Sequence, residues 1–322
     1  MLDLERLKRM RIHRRPLGQL VVANVGLAID YRFPRRTRID VEGADNLPRD
    51  RRVFIAMNHT DAYNYWPLQY AMYRRGLPFT ATWVKGKYYE NEAMAWFMDH
   101  TNNIPLPSRG YVITTEFRKA TGERPDMPTY RALRTLVDLG EVADPLPDAA
   151  ARFLTTRGGA TTFLEAFDRL FDQMIDEIVR LNREALEVGC NVLVFPQGTR
   201  SKRLSKGHTG LAQMSQALGA DIVPVGCSGS DHCYPTMRPF SRGGHITYRI
   251  GAPLRLDGPE LGPHRVTQPF RPLDKAATEA HGPAFEAITH TVMQAIDALV
   301  DPEYRFAADQ SSDGVQGIDR FV

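Results

Sequence analysis

"TFLEAFDRLFDQMIDEIVRLNREALEVGCNVLVF", residues 162–195, decides the fold class. Phe167, Leu170, Phe171, Met174, Ile178 and Leu181 recur at helical spacing with charged residues between them, and Gly189 supplies the stop. The stripe reads as core packing rather than a ligand face. Asn191 to Phe195 then reads as a strand without polar alternation, the pattern of a strand buried on both faces. A long one-sided helix delivering the chain into a buried strand is the repeating unit of a helix-covered sheet.

The same alternation extends in both directions. Val53 to Met57 reads as a strand, and Tyr65 to Arg75 as a helix with Pro67 in its first turn. "PFTATWV" (78–84) reads as a strand, "NEAMAWFMDH" (91–100) as a short helix, and "NNIPLPSRG" (102–110) as a strand or extended loop reaching Arg109. Downstream, "TGLAQMSQALG" (209–219) is a helix, "DIVPVG" (221–226) a buried strand, and 275–300 a last amphipathic helix. The expected fold is therefore α/β: one domain over 40–300, with a central mixed sheet flanked by helices. Residues 110–160 carry prolines, many charges and a Gly-Gly break, and read as an insertion with one or two helices lying over the core surface. Residues 1–39 read as a basic helical segment and 301–322 as a disordered tail. No internal repeat or low-complexity tract appears.

Composition narrows the class. The chain has 322 residues, 43% apolar and 25% charged, a globular balance long enough for one large domain. Three irregularly spaced cysteines, Cys190, Cys227 and Cys233, do not make a disulfide framework, and a reducing compartment is expected. The net charge of +3 is small, and nucleic acid is not an expected partner. Its distribution is uneven: Arg6, Lys8, Arg9, Arg11, Arg14 and Arg15 crowd the start, and Arg32, Arg35, Arg36 and Arg38 come soon after. The apolar run 17–29 falls short of the roughly 18 residues of a membrane span. It lacks a cleavage site, so a secretory signal is not expected. With Leu2, Leu4, Leu7 and Met10 beside so many cations, residues 1–39 read either as a helical segment apposed to an anionic leaflet or as a basic helix packed on the domain.

Three strand ends carry polar residues that can meet at one sheet edge: "NHTDAYN" (58–64), "PLPSRG" (105–110) and "FPQGTRSK" (195–202). Together they offer His59, Arg109, Arg200 and a Gly-Thr turn, with Lys206 soon after. A neutral histidine takes a proton from a hydroxyl, and Arg or Lys holds a phosphate or carboxylate. Asp61 fits either an N-cap or a direct part in catalysis.

Other patterns fail. "GCSGS" (226–230) lacks the last glycine of a nucleophile elbow, and Cys227, His232 and Cys233 have no second ligand pair for zinc. Gly158-Gly159 is not followed by a phosphate-loop lysine. No metal is expected.

Taken together, these blocks resemble the glycerophospholipid acyltransferases, the lysophosphatidate and glycerol-3-phosphate acyltransferases. "VEGADNLPRDRRVFIAMNHTD" (41–61) is similar to the family's entry, a strand ending in N-H-x-x-x-x-D. "NIPLPSR" (103–109) is similar to its second block, and "FPQGTRS" (195–201) matches F-P-E-G-T-R-S at six of seven positions. "SKGHTGLA" and "DIVPV" resemble the family's later stretches, a Lys-Gly before a helix and then a strand with a central proline. The resemblance spans roughly 40–250.

The resemblance implies acyl transfer from acyl-CoA or acyl carrier protein to a hydroxyl of a lysophospholipid or related amphiphile. His59 would be the general base and Asn64 would stand where the family's orienting Asp stands. Arg109, Gln197, Gly198, Thr199, Arg200 and Lys206 would hold the acceptor's phosphate or headgroup. No cofactor beyond the acyl co-substrate is implied, and the expected location is peripheral, on the cytoplasmic face of a membrane.

Two acids are replaced by amides, at Asn64 and Gln197. A carboxylate about 4 Å from an imidazolium is worth about 4 kcal/mol at an effective dielectric near 20. Its loss corresponds to roughly three decades of rate. The replacements fit an enzyme tuned to amides, and they also fit a member of the fold that binds lipid or acyl thioester without turnover. The insertion at 110–160 is expected to shape the acceptor or acyl pocket.

Overall fold

The structure, a computed structural model, describes residues 1–310. Its strands are β1 (Thr37–Glu42), β2 (Phe54–Met57), β3 (Thr80–Lys85), β4 (Asn103–Leu106), β5 (Asn191–Val194), β6 (Ile222–Ser228) and β7 (Gly244–Ile250). They form one sheet in the order β1-β7-β6-β2-β5-β3-β4. Every neighbouring pair is parallel except β6–β7, so β1 and β7 run against the other five. The sheet is mixed and flanked by helices, as the sequence implies.

The central strand shows why it lacks polar alternation. Phe54 and Ala56 point into one core while Val53, Ile55 and Met57 point into the other. Helices Ala160–Glu187, Gly210–Leu218 and Lys275–Leu299 cover the first face, and Tyr65–Arg74 the second. With both faces dry, only apolar side chains fit. The long helix ends as its sequence dictates: Gly189 takes φ +95°, a backbone that favours glycine, and the chain enters β5 two residues later.

Two expectations need correction, and one open alternative is decided. The 110–160 segment holds three helices, Arg109–Thr121, Met127–Leu139 and Asp148–Thr156. Val112, Ile113, Phe117, Leu133, Phe153 and Leu154 belong to the same apolar core as Phe54, so the segment is part of the core and not an overlay. The start of the chain is likewise built in. Leu2, Leu7, Met10 and Ile12 are buried, and the Arg180 guanidinium donates to the carbonyls of Leu7 and Met10. Those side chains face protein, and only the stretch from Leu17 onward presents apolar residues outward. The tail also begins later than 301: Tyr304 is buried, with its hydroxyl donating to Asp231 and accepting from the Gly229 N–H. Residues 311–322, the rest of that expected tail, lie outside the described residues.

From Leu17 to Asp30 the chain is helical with a π-turn at Val22–Leu27. Gln19, Ala23, Leu27 and Tyr31 face the domain. Leu17, Val21, Val25 and Ile29 are each at least 60% exposed. In an α-helix a residue at i+4 sits about 40° past its predecessor. The wider π-turn swings the row back, so four apolar residues line up along one outward ridge.

Candidate active site

Because β2 to β6 run the same way, their C-terminal ends share one edge of the sheet, where open α/β sheets place their ligands. His59 follows β2 there, Lys85 ends β3, Arg109 follows β4, and the Gln197–Arg200 turn follows β5.

The His59 ring stacks on Phe195 at 4.0 Å between centroids. Its Nδ1 lies 3.2 Å from Asn64 Oδ1. The fully buried Asn64 amide cannot turn over, because its Nδ2 donates to the Asn58 carbonyl at 2.8 Å. Oδ1 therefore faces the ring, Nδ1 carries the hydrogen, and Nε2 is left as the basic nitrogen. Asn58 is itself locked to β6 by a reciprocal pair with the Cys227 backbone. Burial pushes the His59 pKa down to about 3, against the hydrogen bond that Nδ1–H donates to Asn64 and with help from the nearby Arg200 and Lys85 charges. The histidine is a neutral base throughout the physiological range.

Gln197 plays a different part from the one expected. It is buried, its Oε1 accepts the His59 backbone N–H at 3.0 Å, and its Nε2 donates to the Arg203 carbonyl and to Ser205 Oγ. It braces the two loops against each other and does not face a ligand. The brace is doubled where the Ser201 N–H donates to the His59 carbonyl at 2.9 Å. Gly198 takes φ +67°, and a Cβ there would sit 2.8 Å from the His208 ring, so the turn requires glycine. Thr199 at its tip is exposed. Lys206 is exposed, and its backbone N–H reaches the carbonyl of Gln310.

Asp61 does not touch His59. Its oxygens accept the Tyr63 N–H at 2.8 Å and the Thr60 hydroxyl at 2.9 Å, closing the turn ahead of helix Tyr65–Arg74. Burial pushes its pKa up to about 6. The N-cap of that helix is Asn64, so Asp61 closes the preceding turn instead of capping the helix.

Arg109 also lies apart. As the first residue of helix Arg109–Thr121, it donates to the Val137 carbonyl, pairs with Asp168 at 3.5 Å and covers the Phe171 ring. With Arg134, Asp172 and Arg271 it lines a cleft of about 360 Å³ formed by the 110–160 segment, the long helix and residues 271–278. Arg200 has no carboxylate partner among the described residues; one guanidinium nitrogen points at the Met237 sulfur, a weak acceptor. Lys85 is the residue that motif reading missed. It has no ion pair among the described residues, and burial plus the Lys87 and Arg200 charges lower its pKa. Its signal was topological: a lysine closing a parallel strand next to β5.

The helix-covered sheet thus bears a strand-end histidine, its Nε2 unprotonated, on the same edge as two cations, Arg200 and Lys85, without ion pairs among the described residues. Residues 38–127 match the family model described as Acyltransferase, a segment that contains His59, Asn64 and Arg109 but stops short of the 195–201 block. The matched segment carries the entry motif at 41–61 and the block at 103–109. Among solved structures it is similar to the 1-acyl-sn-glycerophosphate (LPA) acyltransferase PlsC from Thermotoga maritima. The two share 18% identity over 88% of this chain and 86% of that one, with a TM-score of 0.41. No curated protein matches the chain.

Proposed function

We propose that the chain transfers an acyl group from a thioester, acyl-CoA or acyl carrier protein, to a hydroxyl of a lysophospholipid-like acceptor. The observation that carries this reading is the fixed His59 tautomer, with Nδ1–H on Asn64 and Nε2 left as the free base. Nε2 takes the hydroxyl proton as the oxygen adds to the thioester carbonyl. The C–S bond then breaks, and the departing thiolate receives that proton from Nε2. The thioester is already activated, so the step needs no metal or further cofactor. Arg200 and Lys85 lie on the His59 side of the edge, and their unspent charge favours an acceptor bearing phosphate. The outward ridge Leu17–Val21–Val25–Ile29 supports a peripheral position on the cytoplasmic face of a membrane, where such acceptors reside.

A second reading, binding of lipid or acyl thioester without turnover, draws on the neutral amide at Asn64, which stabilises an imidazolium less than a carboxylate does. Acceptor-dependent thiol release from acyl-CoA, measured across lysophospholipids beside His59→Ala, separates the two. A fall of about 10²–10⁴ in the variant, with the acylated product identified by mass spectrometry, is the expected outcome. Release no faster than the variant, with acyl-CoA still bound, would give the second reading the field.

A further inference from the structure

Two neighbouring turns outside the acyl-transfer site share an unusual composition. The turn at 32–36 exposes Phe33 (73%) with Arg32, Arg35 and Arg36, and the loop after Tyr234 exposes Met237 (52%) and Phe240 (69%) with Arg238 and Arg242. Exposed large apolar side chains set among arginines are costly in water unless something covers them.

The turns are stitched into one surface. The Ser241 N–H donates to Asp30, the Thr37 and Ser241 hydroxyls are bonded at 2.7 Å, and the Gly244 N–H donates to the Arg36 carbonyl. Gly243 lies so close to Arg35 that a Cβ there would sit 2.7 Å from the arginine's own. Among the described residues none of the five arginines has an acidic partner, whereas Arg38 next door is paired with Asp40 and Arg249 with Glu42 and Asp301. The surface is cationic because its charges are uncompensated, not because arginine is merely frequent.

The loop also reaches the site. The Met237 carbonyl accepts the Tyr63 hydroxyl at 2.6 Å, and its sulfur lies 3.0 Å from Arg200. At its other end, Asp30 closes the helix that carries the apolar ridge.

We propose that the 234–242 loop and the 32–36 turn form an anionic-phospholipid docking surface. Phe33 and Phe240 enter the acyl boundary while the five arginines meet lipid phosphates, so that the Tyr63–Arg200 side of the site opens against the bilayer. Apolar wedges ringed by cations match the interface of an anionic leaflet in both layers of its chemistry. A protein partner would instead need acidic groups facing five separate arginines. This deepens the acyl-transfer reading by fixing which flank of the molecule meets its lipid, and it rests on that reading only for the identity of the cargo.

The test uses the full chain and two kinds of vesicle, phosphatidylcholine alone and phosphatidylcholine with phosphatidylglycerol. Co-sedimentation is expected only with the anionic vesicles and is weakened about tenfold by Phe240→Ser, the loss expected from one inserted ring. Arg238→Glu should weaken binding to the anionic vesicles further. Phe240→Trp should shift its emission to the blue on anionic vesicles and be quenched by lipids brominated on the chains. Undiminished binding of the serine variant, or no shift from the tryptophan, would overturn the assignment. So would a shift that follows protein concentration without lipid, the mark of a second copy. None of these readouts needs turnover, so failure of the docking surface and failure of acyl transfer are distinguishable. Phe240→Ser should also leave turnover of a short-chain, water-soluble acceptor unchanged.

Discussion

The two amides where the acyltransferase motifs carry acids have a local cause. Asn64 Nδ2 donates to the Asn58 carbonyl and Gln197 Nε2 to the Arg203 carbonyl. A carboxylate at either place would set oxygen against oxygen in a buried site. Asn64→Asp and Gln197→Glu are each expected to cost about 1–3 kcal/mol, read as a lowered urea midpoint at unchanged slope. The same change at Asn64 should alter titration. With a pKa of about 3, the wild-type histidine is expected to leave kcat/KM flat as pH falls from 8 to 5. A carboxylate beside Nδ1 stabilises the imidazolium, raises that pKa and brings an acid limb into this range. A wild-type profile that already breaks near 6.5, the ordinary histidine value, would contradict the assigned environment of His59. The pairing of His59 with Asn64 was legible because both lie in one short motif. Arg109 and Lys85 were not, since the surroundings of each are set from elsewhere: by Asp168 and Phe171 of the long helix in one case and by strand order in the other.

Elements were legible in proportion to how dry their surroundings are. β2, β5 and β6 are buried along their whole length and read as unbroken apolar runs. β1 and β7 escaped notice: β1, Thr37–Glu42, sits at the edge with most residues part-exposed, and β7 opens with exposed Gly244 and His245, so charged and polar residues dilute their patterns. The helices of the 110–160 segment were underestimated for a related reason. Prolines and charges mark their connections, while the faces that join the core are visible only once the long helix is in place to receive them. Phe153→Ala should therefore cost about 3–5 kcal/mol, as for any core phenylalanine, where a surface overlay would lose little; thermal unfolding decides. The apolar ridge of the π-containing helix makes a separate expectation. Val25→Asp, on the outward face, should leave far-UV circular dichroism and Tm unchanged while reducing sedimentation with anionic vesicles.

At the scale of the molecule, part-buried His59 and buried Asp61 oppose each other in pH. His59 resists protonation when folded, so between its unfolded value of 6.5 and about 3 the unfolded chain binds the extra proton and stability falls with falling pH. Asp61 is shifted the other way, from 3.8 to about 6; over that window the folded chain binds the extra proton and stability rises as pH falls. Their slopes cancel between about pH 6 and pH 4. Asp61→Asn removes one of them and keeps an oxygen for the Tyr63 N–H. The variant should be more stable than the parent at about pH 7.5, and should lose roughly 1.4 kcal/mol per pH unit on acidification below about pH 6 that the parent does not. Equal slopes in chemical denaturation across this range would show that the two groups are not opposed.

The strand order also sets a timetable for synthesis. β2, which leads into His59, is made early, yet its neighbours are β5 and β6, with Phe54 beside Val192 and Ile222. The loop that braces His59 is in turn held by a bond from the Leu204 N–H to the Tyr304 carbonyl, close to the end of the described chain. Contacts this distant in sequence form late and slowly. Until β5 and β6 are made, the central strand has no sheet to join and Asn58 lacks the β6 backbone that locks it. The surroundings of His59 are therefore completed only after β5, β6 and the stretch around Tyr304 have been made.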